Sequence, residues 1–299
     1  MKMRLRGIIP ALATPLTPDL EPDEAGFRRL VQYQLEGDVV GLFACSSTGE
    51  GPMLADEQWS RVLGWAIREA NGQVPVLAHV TDVGVPRVLD RVRRAADLGA
   101  DAVAAAAPYY YQHTDAEVLD FFVTIADRSP LPLFVYNIPQ RVKTALTVEQ
   151  LLELAPHPNI AGMKDSPANA VLHLELLRRV RERHLDFTVL NGTEAYLGAS
   201  VMMGGDGGLL GVANLAPRLC VELYEAAARG DAAAVRELQS RLSDLTGVFT
   251  IPGGSFAGNL KAALEMLGLC GSTVLPPLSM PTDNTRAAIR ALLQRHSLL

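Results

Sequence analysis

The sequence predicts a (β/α)8 barrel followed by a helical extension at its C-terminal side. Short apolar segments of strand-forming residues alternate with longer amphipathic segments, there are eight of the short segments, and the first lies close to the N-terminus. Helices between short buried strands predict right-handed βαβ units and a parallel sheet. An open doubly wound sheet is the competing fold, but its usual order of about six strands leaves two strands unexplained.

The individual elements follow from where the hydrophobic periodicity changes along the chain. Strands are predicted at residues 8–13, 39–45, 76–80, 102–106, 133–137, 160–164, 187–191 and 207–212. Helices between these strands are predicted at residues 23–36, 55–70, 85–98, 116–127, 147–154, 170–184 and 193–203.

The pattern changes after about residue 217, where no further strong strand follows. Helices are predicted there at residues 217–229, 232–249, 256–267 and 284–296. We therefore divide the chain into a barrel catalytic domain, residues 1–217, and a C-terminal helical region, residues 218–299. Because no flexible linker separates the two, the helical region is expected to pack on the barrel.

Composition excludes several classes of protein. With 299 residues, 48% hydrophobic and 20% charged, the chain has the balance of a soluble globular protein. The net charge of −6 and the lack of a basic tract interleaved with aromatics argue against nucleic-acid binding. No run of about 18 apolar residues predicts a membrane-spanning helix, and prolines interrupt the apolar segment 7–16, which makes it a poor signal peptide.

Cysteine and histidine usage points to a cytoplasmic protein without a metal. The cysteines at positions 45, 220 and 270 are widely spaced and form no CxxC pair, which favours reduced thiols in the cytoplasm. The six histidines show no metal-ligand spacing, so neither a metal nor another cofactor is expected.

Lys164 is the most informative residue, because lysine is scarce in this chain. There are four lysines and 23 arginines. An amine can lose its proton when it is desolvated and can then attack a carbonyl, whereas a guanidinium cannot. Lys164 closes the sixth predicted strand, which places it at the end of a barrel strand; an ordinary solvated lysine is the alternative.

In a barrel of this type the active site lies at the C-terminal ends of the strands. The residues found there are Thr14, Ser46 to Glu50, His79, Thr81, Pro108 to Tyr111, Tyr136 to Pro139, Lys164 and Asn191 to Glu194, and the eighth strand carries the glycine-rich run Gly204 to Gly208. This set offers one amine nucleophile, tyrosines that can relay a proton, and small hydroxyls beside backbone N–H groups. It suits imine chemistry better than metal or redox chemistry.

A neutral lysine amine adds to a ketone and loses water, and the resulting iminium stabilises a carbanion on the neighbouring carbon. Tyr136, at the end of the adjacent strand, can shuttle protons with the help of a second hydroxyl. The turn Ser47-Thr48-Gly49 can hold a carboxylate.

Each of these features also has a purely structural interpretation. The run Tyr109-Tyr110-Tyr111 can serve packing, and the turn at Ser47 can cap the following helix. The glycines around Asp206 fit neither a phosphate-binding loop nor a dinucleotide fingerprint. His79 on an apolar strand is more often a hydrogen-bonded barrel histidine than a catalyst.

Taken together, the motifs resemble the dihydrodipicolinate synthase / N-acetylneuraminate lyase family of pyruvate-dependent class I aldolases, which are TIM barrels. The resemblance runs nearly end to end. Its anchors are Ser47-Thr48-Gly49-Glu50, Pro108-Tyr109-Tyr110, Tyr136-Asn137-Ile138-Pro139 and Gly162-Met163-Lys164-Asp165-Ser166, with 28 residues from the tyrosine to the lysine.

The resemblance implies a role for particular residues. Lys164 would form the Schiff base and Tyr136 would transfer protons, with Ser47 and Tyr110 as relays and Tyr110 supplied by a neighbouring subunit. Thr48 and nearby backbone amides, including that of Gly49, would hold the carboxylate of pyruvate. Gly192 and the aliphatic Leu209 would lie beside the bound substrate. The family is commonly a tetramer built from dimers, so a homo-oligomer is expected.

Departures from the family pattern concern the second substrate. The synthases typically follow the tyrosine motif with arginine, threonine and glycine, whereas this chain has Gln140-Arg141-Val142-Lys143. Arg141 remains and could pair with a carboxylate on that substrate. The run Lys164-Asp165-Ser166 is closer to relatives that cleave or dehydrate 2-keto-3-deoxy sugar acids or 4-hydroxy-2-oxoglutarate. The residues after Gly192 also differ from the usual acidic pair.

The sequence therefore predicts an enzyme that forms a lysine Schiff base with pyruvate or a 2-oxo acid and makes or breaks a carbon–carbon bond with an aldehyde. A dehydratase of the same family, acting on 2-keto-3-deoxy sugar acids, is one alternative. A relative that only binds a keto acid is another, and the retained lysine and tyrosine argue against it.

Overall fold

The computed structural model describes residues 2–299 and contains eight parallel strands. The strands are β1 (Gly7–Pro10), β2 (Leu42–Ala44), β3 (Val76–His79), β4 (Ala102–Ala106), β5 (Leu133–Asn137), β6 (Ile160–Asp165), β7 (Thr188–Asn191) and β8 (Gly207–Leu210).

Helices follow the strands in alternation and continue beyond the last one. They are α1 (Glu24–Leu35), α2 (Asp56–Ala70), α3 (Val85–Leu98), α4 (Asp115–Arg128), α5 (Pro139–Val142), α6 (Val148–Leu154), α7 (Ala170–Glu182), α8 (Leu197–Met202), α9 (Pro217–Ala228), α10 (Ala232–Thr246), α11 (Phe256–Met266) and α12 (Asp283–Arg295).

The sheet closes on itself. Neighbouring strands pair in parallel from β2 through β8, and β8 pairs with β1. The remaining seam, between β1 and β2, is bridged by hydrogen bonds from the Val40 N–H to the Ile8 carbonyl and from the Leu12 N–H to the Phe43 carbonyl, each 2.9 Å. The predicted barrel with C-terminal helices is therefore confirmed.

Differences from the predicted boundaries have local causes. The first strand ends at Pro10 rather than at residue 13, because the following backbone turns to Asn214. The side chain of Asn214 accepts from the Ala13 N–H at 2.9 Å and donates to the Ala11 carbonyl at 2.7 Å. The helix predicted at 193–203 is divided into a 3-10 turn, Glu194–Tyr196, and α8.

The C-terminal helices pack on the barrel and on one another. Helix α9 contacts β1 and α8, α10 contacts α9, and α11 contacts α12 and the 3-10 helix Gly247–Thr250. Because α9 begins at Pro217 and lies against β1, the chain is continuously packed across the proposed boundary. The division into residues 1–217 and 218–299 stays a prediction. None of the helices within residues 2–299 combines the length and apolar character needed to cross a bilayer.

Candidate active site

Lys164 and Tyr136 are direct neighbours across two strands. They are register partners on β6 and β5, and both are buried. The Nζ of Lys164 lies 4.4 Å from the centroid of the Tyr136 ring and 5.3 Å from that of the Phe43 ring. The amine is therefore enclosed by aromatic faces inside the barrel.

The acidic residue next to Lys164 points the other way, because successive side chains alternate across a strand. The carboxylate of Asp165 pairs with Nδ1 of His173 at 2.9 Å and accepts from the Asn137 amide at 3.0 Å. His173 in turn contacts the Ser200 hydroxyl at 2.7 Å, and both residues are fully buried. This chain of hydrogen bonds ties β6 to α7 and α8 and does not face the amine.

A cavity of about 200 Å³ lies at the C-terminal ends of the strands and includes Lys164 and Tyr136 in its wall. Of the residues predicted for the site, it brings together Ser47, Thr48, Tyr136, Arg141, Lys164 and Gly192. Helix α5, a single turn that the sequence did not predict, carries Arg141 into the wall. Six of the nine predicted site residues thus share one cavity.

The turn after β2 is tightly constrained. The N–H groups of Gly49 and Gly51 both donate to the Ser46 carbonyl, at 3.0 and 2.9 Å. A Cβ at Gly49 would lie 2.5 Å from the Leu12 carbonyl oxygen, so a larger residue there would displace β1 or the turn. The turn holds Thr48 buried and Ser47 half-buried at the cavity.

Glu50 anchors this turn to the C-terminal helices. Its carboxylate pairs with the Nζ of Lys261 on α11 at 2.5 Å and accepts from the Leu275 N–H at 2.6 Å. Both charged side chains are almost completely excluded from solvent. Burial lowers the pKa of Lys261, and the neighbouring Glu50 carboxylate opposes that shift. A second scarce lysine therefore has a structural partner rather than a place in the cavity.

Gly192, which directly follows β7, allows the backbone to approach Lys164 closely. Its N–H donates to the Asp165 carbonyl at 2.7 Å, and its carbonyl accepts from the Ser166 hydroxyl at 3.2 Å. A Cβ at Gly192 would lie 2.0 Å from the Ser166 Oγ and 3.0 Å from the Lys164 Cγ. Glycine is thus required by the space around Lys164.

Three predicted site residues lie outside this cavity. Tyr110 is 73% exposed at the surface, with its ring against Tyr111. Leu209 is buried on β8 opposite Ile9, and Gly49 is buried close to the Leu12 carbonyl and the Thr14 hydroxyl. Their roles stay predictions.

The cavity also contains residues to which the sequence analysis assigned no role. Glu194 lies in its wall, and its Oε1 accepts from the N–H groups of Gly211 and Val212 at 3.0 Å each. Phe249 and Phe256 come from the C-terminal region and stack with centroids 4.2 Å apart. The position of Glu194, two residues after Gly192 at a strand end, was a signal in the sequence for its place in the site. No feature of the neighbouring sequence distinguished the two phenylalanines.

A second cavity of about 270 Å³ adjoins the first, and both share Ser47, Ile138, Arg141 and Phe256. His79 borders it, but burial lowers the pKa of this imidazole to about 3, so the ring is neutral. Its nitrogens contact the Cys45 carbonyl at 3.3 Å and the Thr81 hydroxyl at 2.7 Å. His79 is a hydrogen-bonded barrel histidine. Within residues 2–299 no group of three or more His, Cys, Asp or Glu side chains is placed to hold a metal ion.

Comparison with known proteins identifies the family. A family model described as "Dihydrodipicolinate synthetase family" matches residues 4–296. A protein of Gluconacetobacter diazotrophicus named 4-hydroxy-tetrahydrodipicolinate synthase is 34% identical over 294 residues, covering 98% of each chain. The chain belongs to the dihydrodipicolinate synthetase family.

Solved structures support the same assignment. Dihydrodipicolinate synthase from Bacteroides thetaiotaomicron superimposes with a TM-score of 0.93 at 34% identity, covering 99% of this chain and 100% of that one. YagE, a prophage protein of the dihydrodipicolinic acid synthase family from E. coli K12 solved in complex with pyruvate, gives 0.92 at 29% identity, covering 98% and 99%. The predicted class, a Schiff-base-forming lyase or synthase, is confirmed.

Proposed function

We propose that Lys164 forms a Schiff base with pyruvate or a related 2-oxo acid and that the resulting enamine is joined to, or released from, an aldehyde. The observation that carries this proposal is the buried Lys164 amine facing the Tyr136 ring at the C-terminal ends of the strands. The pyruvate complex of YagE supports the choice of keto acid.

The first half of the reaction builds the nucleophile. The Lys164 nitrogen adds to C2 of pyruvate, and the carbinolamine loses water to give an iminium. The iminium withdraws electrons, so that a proton leaves C3 and an enamine forms. Tyr136 is placed to move the protons that these steps release and consume, with the Ser47 hydroxyl as a relay.

The remaining proposed roles concern binding. Thr48, with the nearby backbone amides of the turn after β2, would hold the pyruvate carboxylate, and Gly49 would keep that turn in place through its N–H bond to the Ser46 carbonyl. Gly192 leaves room beside Lys164, and the aliphatic Leu209 on β8 would lie near the bound pyruvate. Arg141, at the boundary of the two cavities, would attract a carboxylate on the second substrate.

Tyr110 implies an oligomer. Its side chain is exposed and lies outside the walls of both cavities of its own chain, which is the arrangement expected if it completes the site of a neighbouring subunit. We propose a homo-oligomer, a tetramer built from dimers, that works in the cytoplasm. The three buried free thiols are consistent with that compartment.

Trapping with borohydride tests the imine. Incubation with pyruvate and borohydride should add the mass of the reduced pyruvate adduct, and digestion should place it on the peptide containing Lys164. Lys164→Arg keeps a positive charge but cannot form the imine, so it should lose both adduct and turnover. An adduct on the exposed Lys143 instead, or none at all, would show that the proposal is wrong.

Subunit complementation tests the role of Tyr110. The variants Tyr110→Phe and Lys164→Ala are each expected to be nearly inactive alone. Co-expressed, they would form mixed dimers in which one site has an intact lysine and receives an intact Tyr110 from its neighbour. Recovered activity supports the shared site, and activity no higher than that of the separate variants contradicts it.

A further inference from the structure

A hydrogen bond on the outer side of the barrel joins the two strand ends that carry Tyr136 and Lys164. Asn137 follows Tyr136 on β5 and Asp165 follows Lys164 on β6, and these two following residues are also register partners. Because successive side chains of a strand point to opposite faces, Asn137 and Asp165 lie behind the pair that faces the cavity. The Asn137 amide donates to the Asp165 carboxylate at 3.0 Å, and both side chains are buried.

The Asp165 carboxylate is itself held by two helices. One of its oxygens accepts from the Asn137 amide, and the other pairs with Nδ1 of His173 on α7 at 2.9 Å. Nε2 of His173 contacts the Ser200 hydroxyl on α8 at 2.7 Å, and both residues are buried. The acceptor to which the end of β5 is tied therefore has a fixed position.

The Asn137 side chain uses its oxygen as well as its nitrogen. Its Oδ1 accepts from the Leu146 N–H at 3.1 Å, in the segment that follows α5, and α5 carries Arg141 into the cavity wall. The main chain adds a further link, because the Ser166 N–H donates to the Asn137 carbonyl at 2.9 Å. Asn137 thus connects β5 to β6 and to the segment after α5.

The contact between the two reacting side chains does not fix their spacing. The Nζ of Lys164 lies 4.4 Å from the centre of the Tyr136 ring, and such contacts form anywhere within about 6 Å of a ring centre. Proton transfer is more demanding, since it needs a hydrogen-bond distance of about 2.6–3.2 Å. The required precision must therefore come from the way in which the two strand ends are held.

From these contacts we infer that Asn137 and Asp165 are positioning residues for the proposed reaction. Their hydrogen bond fixes the end of β5 against the end of β6, and it thereby keeps the Tyr136 hydroxyl within proton-transfer distance of the imine that Lys164 forms. Neither side chain belongs to the cavity wall, so each acts through the residue that precedes it. The inference deepens the proposed function and rests on it.

Exchange of the pyruvate methyl hydrogens in deuterium oxide measures this positioning without an aldehyde. The iminium loses a proton from C3 to give the enamine, the enamine takes a deuteron at C3, and hydrolysis releases deuterated pyruvate and the free amine. Loss of the methyl signal is followed by proton NMR, and the rate without protein is subtracted. Imine-forming sites are counted by borohydride trapping at saturating pyruvate, so that each rate refers to folded, imine-forming protein.

The variants Asn137→Ala and Asp165→Ala break the same hydrogen bond from its two sides. Each should lower the exchange rate per imine-forming site by about 10- to 100-fold, while the pyruvate concentration for half-maximal imine formation changes by less than about threefold. The second variant keeps the test decisive if the first does not fold. An unchanged rate per site, together with lower stability, would show that the bond is only structural and would overturn the inference.

A reciprocal exchange of the two side chains tests the hydrogen bond itself. In the double variant Asn137→Asp/Asp165→Asn, the carboxylate at 137 can accept from the Leu146 N–H and from the new amide, whose oxygen can accept from His173. All three hydrogen bonds are kept, so the exchange rate per site should stay within about threefold of wild type. A loss as large as that of Asn137→Ala would contradict the inference.

A Tyr136→Phe background shows whether the effect passes through the tyrosine. There, Asn137→Ala should lower the remaining exchange by less than about threefold, because no hydroxyl is left to position. A loss as large as in the wild-type background would overturn the inference.

Asn159→Ala is the matched control at the other end of β6. It removes hydrogen bonds to the Ala126, Ser129 and Leu131 carbonyls, at 2.9, 2.9 and 3.1 Å. It should lower stability but leave the exchange rate per imine-forming site within about twofold of wild type; a loss like that of Asn137→Ala would overturn the inference. A wild-type protein that forms no imine or exchanges no deuterium would instead refute the proposed function, and the inference with it, so the two failures are distinguishable.

Discussion

The buried ion pair between Glu50 and Lys261 gives the sharpest prediction about stability. Lys261→Met removes the ammonium but keeps an apolar chain of similar length. The carboxylate of Glu50 then stays almost fully buried with only the Leu275 N–H as a donor, and the Thr273 carbonyl loses the donor that now lies 2.8 Å away. We expect the free energy of unfolding to fall by about 3–5 kcal/mol.

The magnitude follows from the geometry. At the 2.5 Å separation of Nζ and Oε1, the attraction of two unit charges is about 7 kcal/mol with an effective dielectric constant of about 20. Desolvation costs several kcal/mol for each ion, so the net value of the intact pair is small, whereas breaking it leaves one desolvation penalty without compensation. Glu50→Gln combined with Lys261→Met should therefore cost clearly less than the sum of the two single changes.

Urea unfolding followed by far-UV circular dichroism measures these differences. Arg241→Met, an exposed position on α10 in the same C-terminal region, is the control and should change stability by less than about 0.5 kcal/mol. A loss below about 1 kcal/mol for Lys261→Met, or strict additivity in the double variant, would refute the reasoning.

Three further predictions concern the site. Tyr136→Phe should lower kcat by about 10²- to 10⁴-fold while borohydride still traps the pyruvate imine, and unchanged turnover would rule out proton transfer by this residue. Gly192→Ala should cost about 1–3 kcal/mol in unfolding free energy and lower activity, because the new Cβ meets Ser166. The control Gly64→Ala in α2, whose new Cβ would make only an ordinary contact with Leu98 at 3.8 Å, should be neutral or stabilising. The pKa of His79 is about 3 in the folded state and 6.5 in the unfolded chain. Between pH 6.5 and 3 the unfolded chain therefore binds a proton that the folded protein does not, and the free energy of unfolding falls as the pH is lowered. The loss should reach about 2 kcal/mol by pH 5, and urea unfolding of His79→Gln should show a shallower dependence on pH; equal slopes would contradict the assignment.

Much of the barrel was predictable because strand and helix periodicities are local properties. The strands β4 and β5 were predicted with the bounds that the structure has, and the other six differ only at their ends. The predicted end of β1 was wrong because a side chain from a distant segment, that of Asn214, forms hydrogen bonds with the backbone there. The pairing of Lys164 with Tyr136 was also predictable, since both end neighbouring parallel strands.

The part of the site that comes from the C-terminal region was not predictable in the same way. Phe249 and Phe256 enter the cavity from the C-terminal region, far along the chain from Lys164. The spacing of these two phenylalanines in the sequence is also typical of side chains that pack in the core from an ordinary helix, so it did not mark them as site residues. Likewise, only the three-dimensional contacts show that Glu50, His79 and Thr81 are hydrogen-bonded to distant parts of the protein.

The sequence by itself determined the barrel and the neighbouring positions of Lys164 and Tyr136, because each depends on residues within one strand or on a fixed order of strands. The tertiary structure decided what surrounds them. The contact between Glu50 and Leu275 spans 225 positions, and such a pairing leaves no mark in local composition. Its consequence is physical: Lys261 on α11 and the Leu275 N–H hold the Glu50 carboxylate, and they thereby fix the turn that carries Ser47 and Thr48.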